Sequence, residues 1–114
     1  MSNFFAMAVP IPPGKVEQWK KFANQLTTTR KADFTASRKK LGVRERTFLQ
    51  HSPMGDMVIV TLEGQNPQKA FQDFAKGNDE FTKWFVSEVK SVHGFDLTQP
   101  PPGPLPELIV DSGS

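Results

Sequence analysis

The 114-residue chain has no cysteine and no tyrosine, and its only histidines are His51 and His93. The missing cysteines exclude disulfides and thiolate chemistry, and they fit a cytoplasmic protein. The missing tyrosines remove one possible proton donor. Two isolated histidines, with no carboxylate at ligand spacing, give a metal site no support, and no cofactor is expected. No apolar run approaches the ~20 residues that cross a bilayer, so no membrane partner is expected. No basic segment precedes Phe4, Phe5 and Ala6, so no secretory signal is expected. The net charge is only +2; binding through phosphates needs a concentrated basic patch, so no nucleic-acid partner is expected. Glycine-rich phosphate loops, nucleophile elbows and zinc spacings are also missing.

What is present fits one soluble domain: 37% hydrophobic and 23% charged residues at this length. The strongest pattern spans residues 43–64. Ser52, Pro53, Met54 and Gly55 form a turn signal, because proline presets a turn φ and glycine accepts a positive one. The run from Met57 to Leu62 is rich in β-branched and apolar residues, as strands are. A loop at residues 52–55 sets the hairpin register. Leu49 then faces Val58, Thr47 faces Val60 and Glu45 faces Leu62. On the other face Phe48 meets Ile59, Arg46 meets Thr61 and Arg44 meets Glu63. The first face is mainly apolar and should meet helices. The second mixes Phe48, Ile59 and Met57 with Arg44, Arg46, Thr61 and Glu63, and calls for a second cover.

Residues 4–11 alternate as a strand with two apolar faces. Residues 15–41 carry Val16, Trp19, Ala23 and Leu26 at helical spacing. One long helix is expected there, bent or loosened at Thr27, Thr28 and Thr29, where β-branching costs side-chain entropy. Its basic half, Arg30 and Lys31 with Arg38, Lys39 and Lys40, reads as a solvated face near a helix C-terminus. Asn66 and Pro67 open the next helix as cap and first position. Gly77 interrupts it. Asn78, Asp79 and Glu80 start a further segment that ends at His93 and Gly94. Phe95, Asp96 and Leu97 read as a short edge strand. Residues 1–98 thus form the domain. Residues 99–114 form a proline-rich tail, extended and unable to join a central strand. Its apolar Leu108, Ile109 and Val110 are expected to dock on this subunit or its partner.

The order is α+β: a ferredoxin-like βαββαβ pattern with a four-stranded antiparallel sheet and both helical regions on one face. The other face would stay exposed and apolar, which marks an interface. A two-fold homodimer with facing sheets closes it.

Residues 4–97 resemble small proteins of the dimeric α/β-barrel superfamily, the antibiotic-biosynthesis-monooxygenase-like group, and especially its uncharacterised members with a long first helix. The element order carries the resemblance. So do the break Phe74-Ala75-Lys76-Gly77-Asn78-Asp79, the following Lys83-Trp84-Phe85, and His93-Gly94-Phe95-Asp96-Leu97 with prolines after it. The resemblance implies a small-molecule-binding dimeric barrel. Cofactor-independent monooxygenases, haem-degrading enzymes, dye-decolourising peroxidases, muconolactone isomerases and stress-responsive barrel proteins share this class, and fold does not choose among them.

The mixed hairpin face is the candidate site. Arg44, Arg46, Thr61 and Glu63, with Phe48 and Ile59, would line a cavity between sheet and partner. Arginine can hold a carboxylate, enolate or phenolate through paired N–H donors, and Glu63 can act as a base if burial raises its pKa. The structural alternative is an Arg44–Glu63 ion pair across the strands. No catalytic residue is assigned. His51 reads as an exposed turn residue. His93 reads as a structural residue at a helix end, where the dipole favours its charged form. Trp84 reads as packing; its nine-residue spacing from His93 departs from that of haem-degrading members. The expected function is binding of, or cofactor-independent monooxygenation or isomerisation on, an aromatic or enolisable compound. The alternative is a non-enzymatic module with a side-chain-filled cavity.

Overall fold

The computed structural model describes residues 3–101 and 103–113. The elements in order are β1 (Asn3–Ile11), α1 (Val16–Thr27), α2 (Lys31–Leu41), β2 (Val43–Gln50), β3 (Asp56–Gly64), α3 (Pro67–Ala75) and α4 (Glu80–His93). The strands form one antiparallel sheet in the order β1-β3-β2.

The hairpin register agrees with the alternation: Leu49 faces Val58, Phe48 faces Ile59, Arg46 faces Thr61 and Arg44 faces Glu63. Its turn closes with Gly55 N–H donating to the Ser52 carbonyl at 3.0 Å. Strand β1 lines up on the other side of β3, with Met7 facing Val60 and Pro10 facing Met57. The even-numbered side chains of β3 and the odd-numbered ones of β1 and β2 therefore share the inner face.

Two expectations change. The region 15–41 is two helices, α1 and α2, separated at residues 28–30. Thr27 and Thr28 turn their hydroxyls back onto the Asn24 carbonyl, at 3.1 and 2.7 Å. The Arg30 N–H then returns to the Gln25 carbonyl at 2.7 Å. Hydroxyls that compete for helical carbonyls favour such an ending. The second change is the expected fourth strand: the described residues form three strands, and residues 95–97 are not one of them. Gly94 adopts φ 70° and ends α4, as glycine can without a Cβ clash. Asp96 then accepts from the Thr98 N–H at 2.9 Å and hydroxyl at 2.6 Å, and Gln99 N–H closes on the Asp96 carbonyl. This turn sends Leu97 into the core and prevents the extended backbone a ladder requires.

The helices cover the inner face. Asn66 caps α3 by accepting from the Lys69 N–H, and Asp79 caps α4 by accepting from the Thr82 N–H. The Asp79 carboxyl is held below its ordinary pKa by the Thr82 hydroxyl and N–H. Core aromatic rings from α1, α3 and α4 meet edge to face: Phe22 and Phe74 each lie 5.1 Å from Phe85. Trp84 stacks beside Phe22 and Phe81 under the Arg30 guanidinium, and Arg30 binds Glu80 through two hydrogen bonds of 2.6 and 2.9 Å. Burying a phenylalanine side chain contributes about 1.5–3 kcal/mol, so this cluster dominates the fold's cohesion.

The outer face of the sheet has no helix over it. Phe4 and Phe48 are 49% and 54% exposed there. The tail does not cover it within this chain: Leu108, Ile109 and Val110 are 61%, 75% and 81% exposed.

Candidate functional site

α1 packs mainly against α2 and α4 rather than on the sheet. Its apolar stripe of Trp19, Phe22, Ala23 and Leu26 therefore looks at the inner sheet face across a gap. That gap is a cavity of about 340 Å³, floored by Met7, Val58, Val60 and Leu62. Small-molecule sites occupy ~300–1,000 Å³ and combine apolar walls with a few placed polar groups. Thr47 lies on the inner face of β2 yet is exposed.

The first polar group is Arg38 on α2. Its Nε donates to Glu45 Oε1 at 2.8 Å and its Nη1 to the Ser37 hydroxyl at 2.9 Å. Thr47 donates its hydroxyl to the other Glu45 oxygen at 3.2 Å. The guanidinium lies over Phe34, Phe74 and Phe85, with centroid distances of 4.8, 4.3 and 5.0 Å. Aromatic faces attract a cation, more so when water is excluded. No described side chain engages Nη2, so Arg38 retains a donor for a ligand. Sequence reasoning placed Arg38 on a solvated face; the structure buries it. The available signal was Glu45, a carboxylate in an otherwise apolar strand set, which needs a cation beside it. Arg38 also follows Phe34 by one helical turn.

The second polar group is His93 at the end of α4. It lines the same cavity. Its Nδ1 lies 2.9 Å from the Pro10 carbonyl oxygen. A carbonyl only accepts, so the proton is assigned to Nδ1 and Nε2 carries a lone pair. Burial pushes the His93 pKa below its ordinary value, and the bond to Pro10 offsets this only in part. The helix end was expected to favour the charged form; burial instead shifts the balance toward the neutral one.

The residues singled out from the sequence sit on the outer face. Arg46, Thr61 and Glu63 come together there: Arg46 Nη1 donates to Glu63 Oε1 at 2.9 Å, and the Thr61 hydroxyl reaches the Arg46 carbonyl at 3.5 Å. The ion pair is diagonal, Arg46 with Glu63, rather than the directly facing Arg44 with Glu63. Arg44 is exposed, and Phe48 and Ile59 stand beside the cluster. None of the six lines the cavity under the helices. His51 is exposed and pairs with Asp56 at 2.8 Å. Among the described residues no three His, Asp or Glu side chains group as a metal set would, and no helix is long and apolar enough to cross a membrane.

No protein-family model, curated protein or solved structure matches the chain.

Proposed function

We propose that the chain binds a small aromatic or enolisable compound in the cavity between α1 and the sheet, and that it works as a homodimer of the dimeric α/β-barrel type. The observation that carries the reading is the cavity itself: about 340 Å³, walled by aromatic and aliphatic side chains, with Arg38, Glu45 and His93 as its ionisable groups. Catalysis there would be cofactor-independent monooxygenation or isomerisation.

The residues of the outer face take the second role. Phe4, Phe48 and Ile59 offer apolar area, and Arg44, Arg46 and Glu63 offer charges of both signs. A second copy presents the same set across a two-fold axis, so arginine meets glutamate in both directions. The tail places Glu107 and Asp111 around Leu108, Ile109 and Val110, a segment whose apolar core and acidic flanks suit that face of the partner.

The test is thermal unfolding with salicylate, naphthoate, menadione and haem. A ligand at one hundred times its Kd adds about 2.7 kcal/mol, a rise of several degrees for a domain of this size. The rise should vanish in Ala23→Phe, which fills the cavity from the α1 side and leaves Arg38, Glu45 and His93 in place. No shift with any aromatic acid or quinone would sink the binding reading and favour a module with no ligand.

A further inference from the structure

Arg38 and His93 stand toward opposite ends of the sheet. Glu45, which holds Arg38, faces Leu62, whereas Pro10, which holds His93, faces Met57. Met57 and Leu62 are five positions apart on β3, and a strand rises about 3.3 Å per residue, so these registers are separated by about 16 Å. Between them the floor carries the apolar Val58 and Val60, and Thr47, opposite Val60, already gives its hydroxyl to Glu45. A compact ligand cannot meet both ends. An elongated one can.

The ends differ in chemistry. Arg38 offers a hydrogen-bond donor through Nη2, suited to a carbonyl or carboxylate oxygen. His93 offers an acceptor, because its only proton-bearing nitrogen is spent on Pro10. The carboxylate at that end of the sheet, Asp56 opposite Ile11, is engaged by His51, so it leaves the imidazole as the base.

We propose that His93 Nε2 is the proton acceptor of the cavity, acting on an elongated phenol or enolisable ketone whose far end carries a carbonyl or carboxylate for Arg38. This rests on the cavity being a ligand site. In the step, the ligand O–H bond, or the C–H bond beside its carbonyl, breaks. The electron pair stays on the ligand as phenolate or enolate, and the proton moves to Nε2. The imidazolium so formed still donates through Nδ1 to Pro10. Returning the proton to a different carbon completes an isomerisation in which nothing is oxidised or reduced. Burial lowers the His93 pKa, which favours the base form before the step and the return of the proton after it.

The test uses para-hydroxyphenylazo-benzoate, a rod-shaped phenol with a carboxylate at its other end and an absorption band that moves to longer wavelength on losing the phenolic proton. Binding is read separately, from quenching of Trp19, which lines the cavity. The wild-type protein should quench and should move the probe's band part of the way to longer wavelength, because its phenol donates a hydrogen bond to Nε2. His93→Asn retains an amide donor for Pro10 where Nδ1 stood but has no base at Nε2; it should quench and lose the red-shifted band. An unchanged band in that variant overturns the assignment to His93 while leaving the ligand site standing. Absence of quenching in the wild type overturns the ligand site as well. Should His93→Asn fail to fold, nitrogen NMR of the wild-type imidazole decides. Protonation at Nδ1 alone in the free protein, with the Nε2 resonance displaced by the probe as a hydrogen-bond acceptor's is, supports the role. A free protein protonated at Nε2 refutes it.

Discussion

Each face of the sheet carries one arginine–glutamate pair, and the two pairs have nearly the same length. Arg38–Glu45 on the inner face measures 2.8 Å and Arg46–Glu63 on the outer face 2.9 Å. Their surroundings separate them. The inner side chains are 10% and 7% exposed, the outer ones 39% and 28%. The inner pair is further held by Ser37, Thr47 and three aromatic rings. The outer pair faces solvent along one side. Geometry alone would rank them equal; desolvation decides that they are not.

Three measurements sharpen the contrast. The largest effect is expected from Glu45→Ala, which leaves the Arg38 guanidinium buried among rings without its anion. Removing one partner of a buried pair costs about 3–5 kcal/mol, visible as a lower urea midpoint. Replacing both partners at once, Arg38→Met with Glu45→Leu, should recover most of that loss; a double variant as unstable as the single one would show that packing, not charge, sets the cost. Next comes Phe48→Glu on the outer face. It puts like charges against each other across the proposed two-fold contact, so sedimentation should move from dimer to monomer while the monomer melts within a few degrees of wild type. Wild-type protein that is monomeric at high micromolar concentration would remove the contact. The smallest effect belongs to Glu63→Gln, at about 0.2–1 kcal/mol and decreasing with added salt. A loss as large as that of Glu45→Ala would mean that a partner covers the outer pair in solution.

The hairpin was legible residue by residue. Period-two alternation and the Ser52-Pro53-Met54-Gly55 turn leave one register that puts Val58 and Leu62 inside, and that register is the one found. The caps at Asn66 and Gly94 were legible for the same reason, since each is a local matter of one side chain or one φ; the start of α4 was legible from Asn78, Asp79 and Glu80, and the capping side chain there is Asp79. The cavity's polar groups were not. Arg38 sits in a run with Lys39 and Lys40 that looks solvated, and only its seven-residue link to Glu45 reveals otherwise. His93 bonds to Pro10 across 83 positions of sequence, so the helix dipole was the only influence visible in the sequence, and the burial that lowers the His93 pKa was not. Residues 95–97 have strand composition, but Asp96 captures Thr98 before a ladder can form.

The placement of Glu45 has a consequence for how the hairpin finds its alignment. Sliding β2 by one residue along β3 would turn Arg44, Arg46 and Phe48 under the helices and push Glu45 out into water. Arg38 would then lose its counter-charge at the moment two more cations arrived beside it. The mistake carries an electrostatic penalty far above thermal energy, so a chain that has begun to close its helices over the sheet is driven to undo such an error.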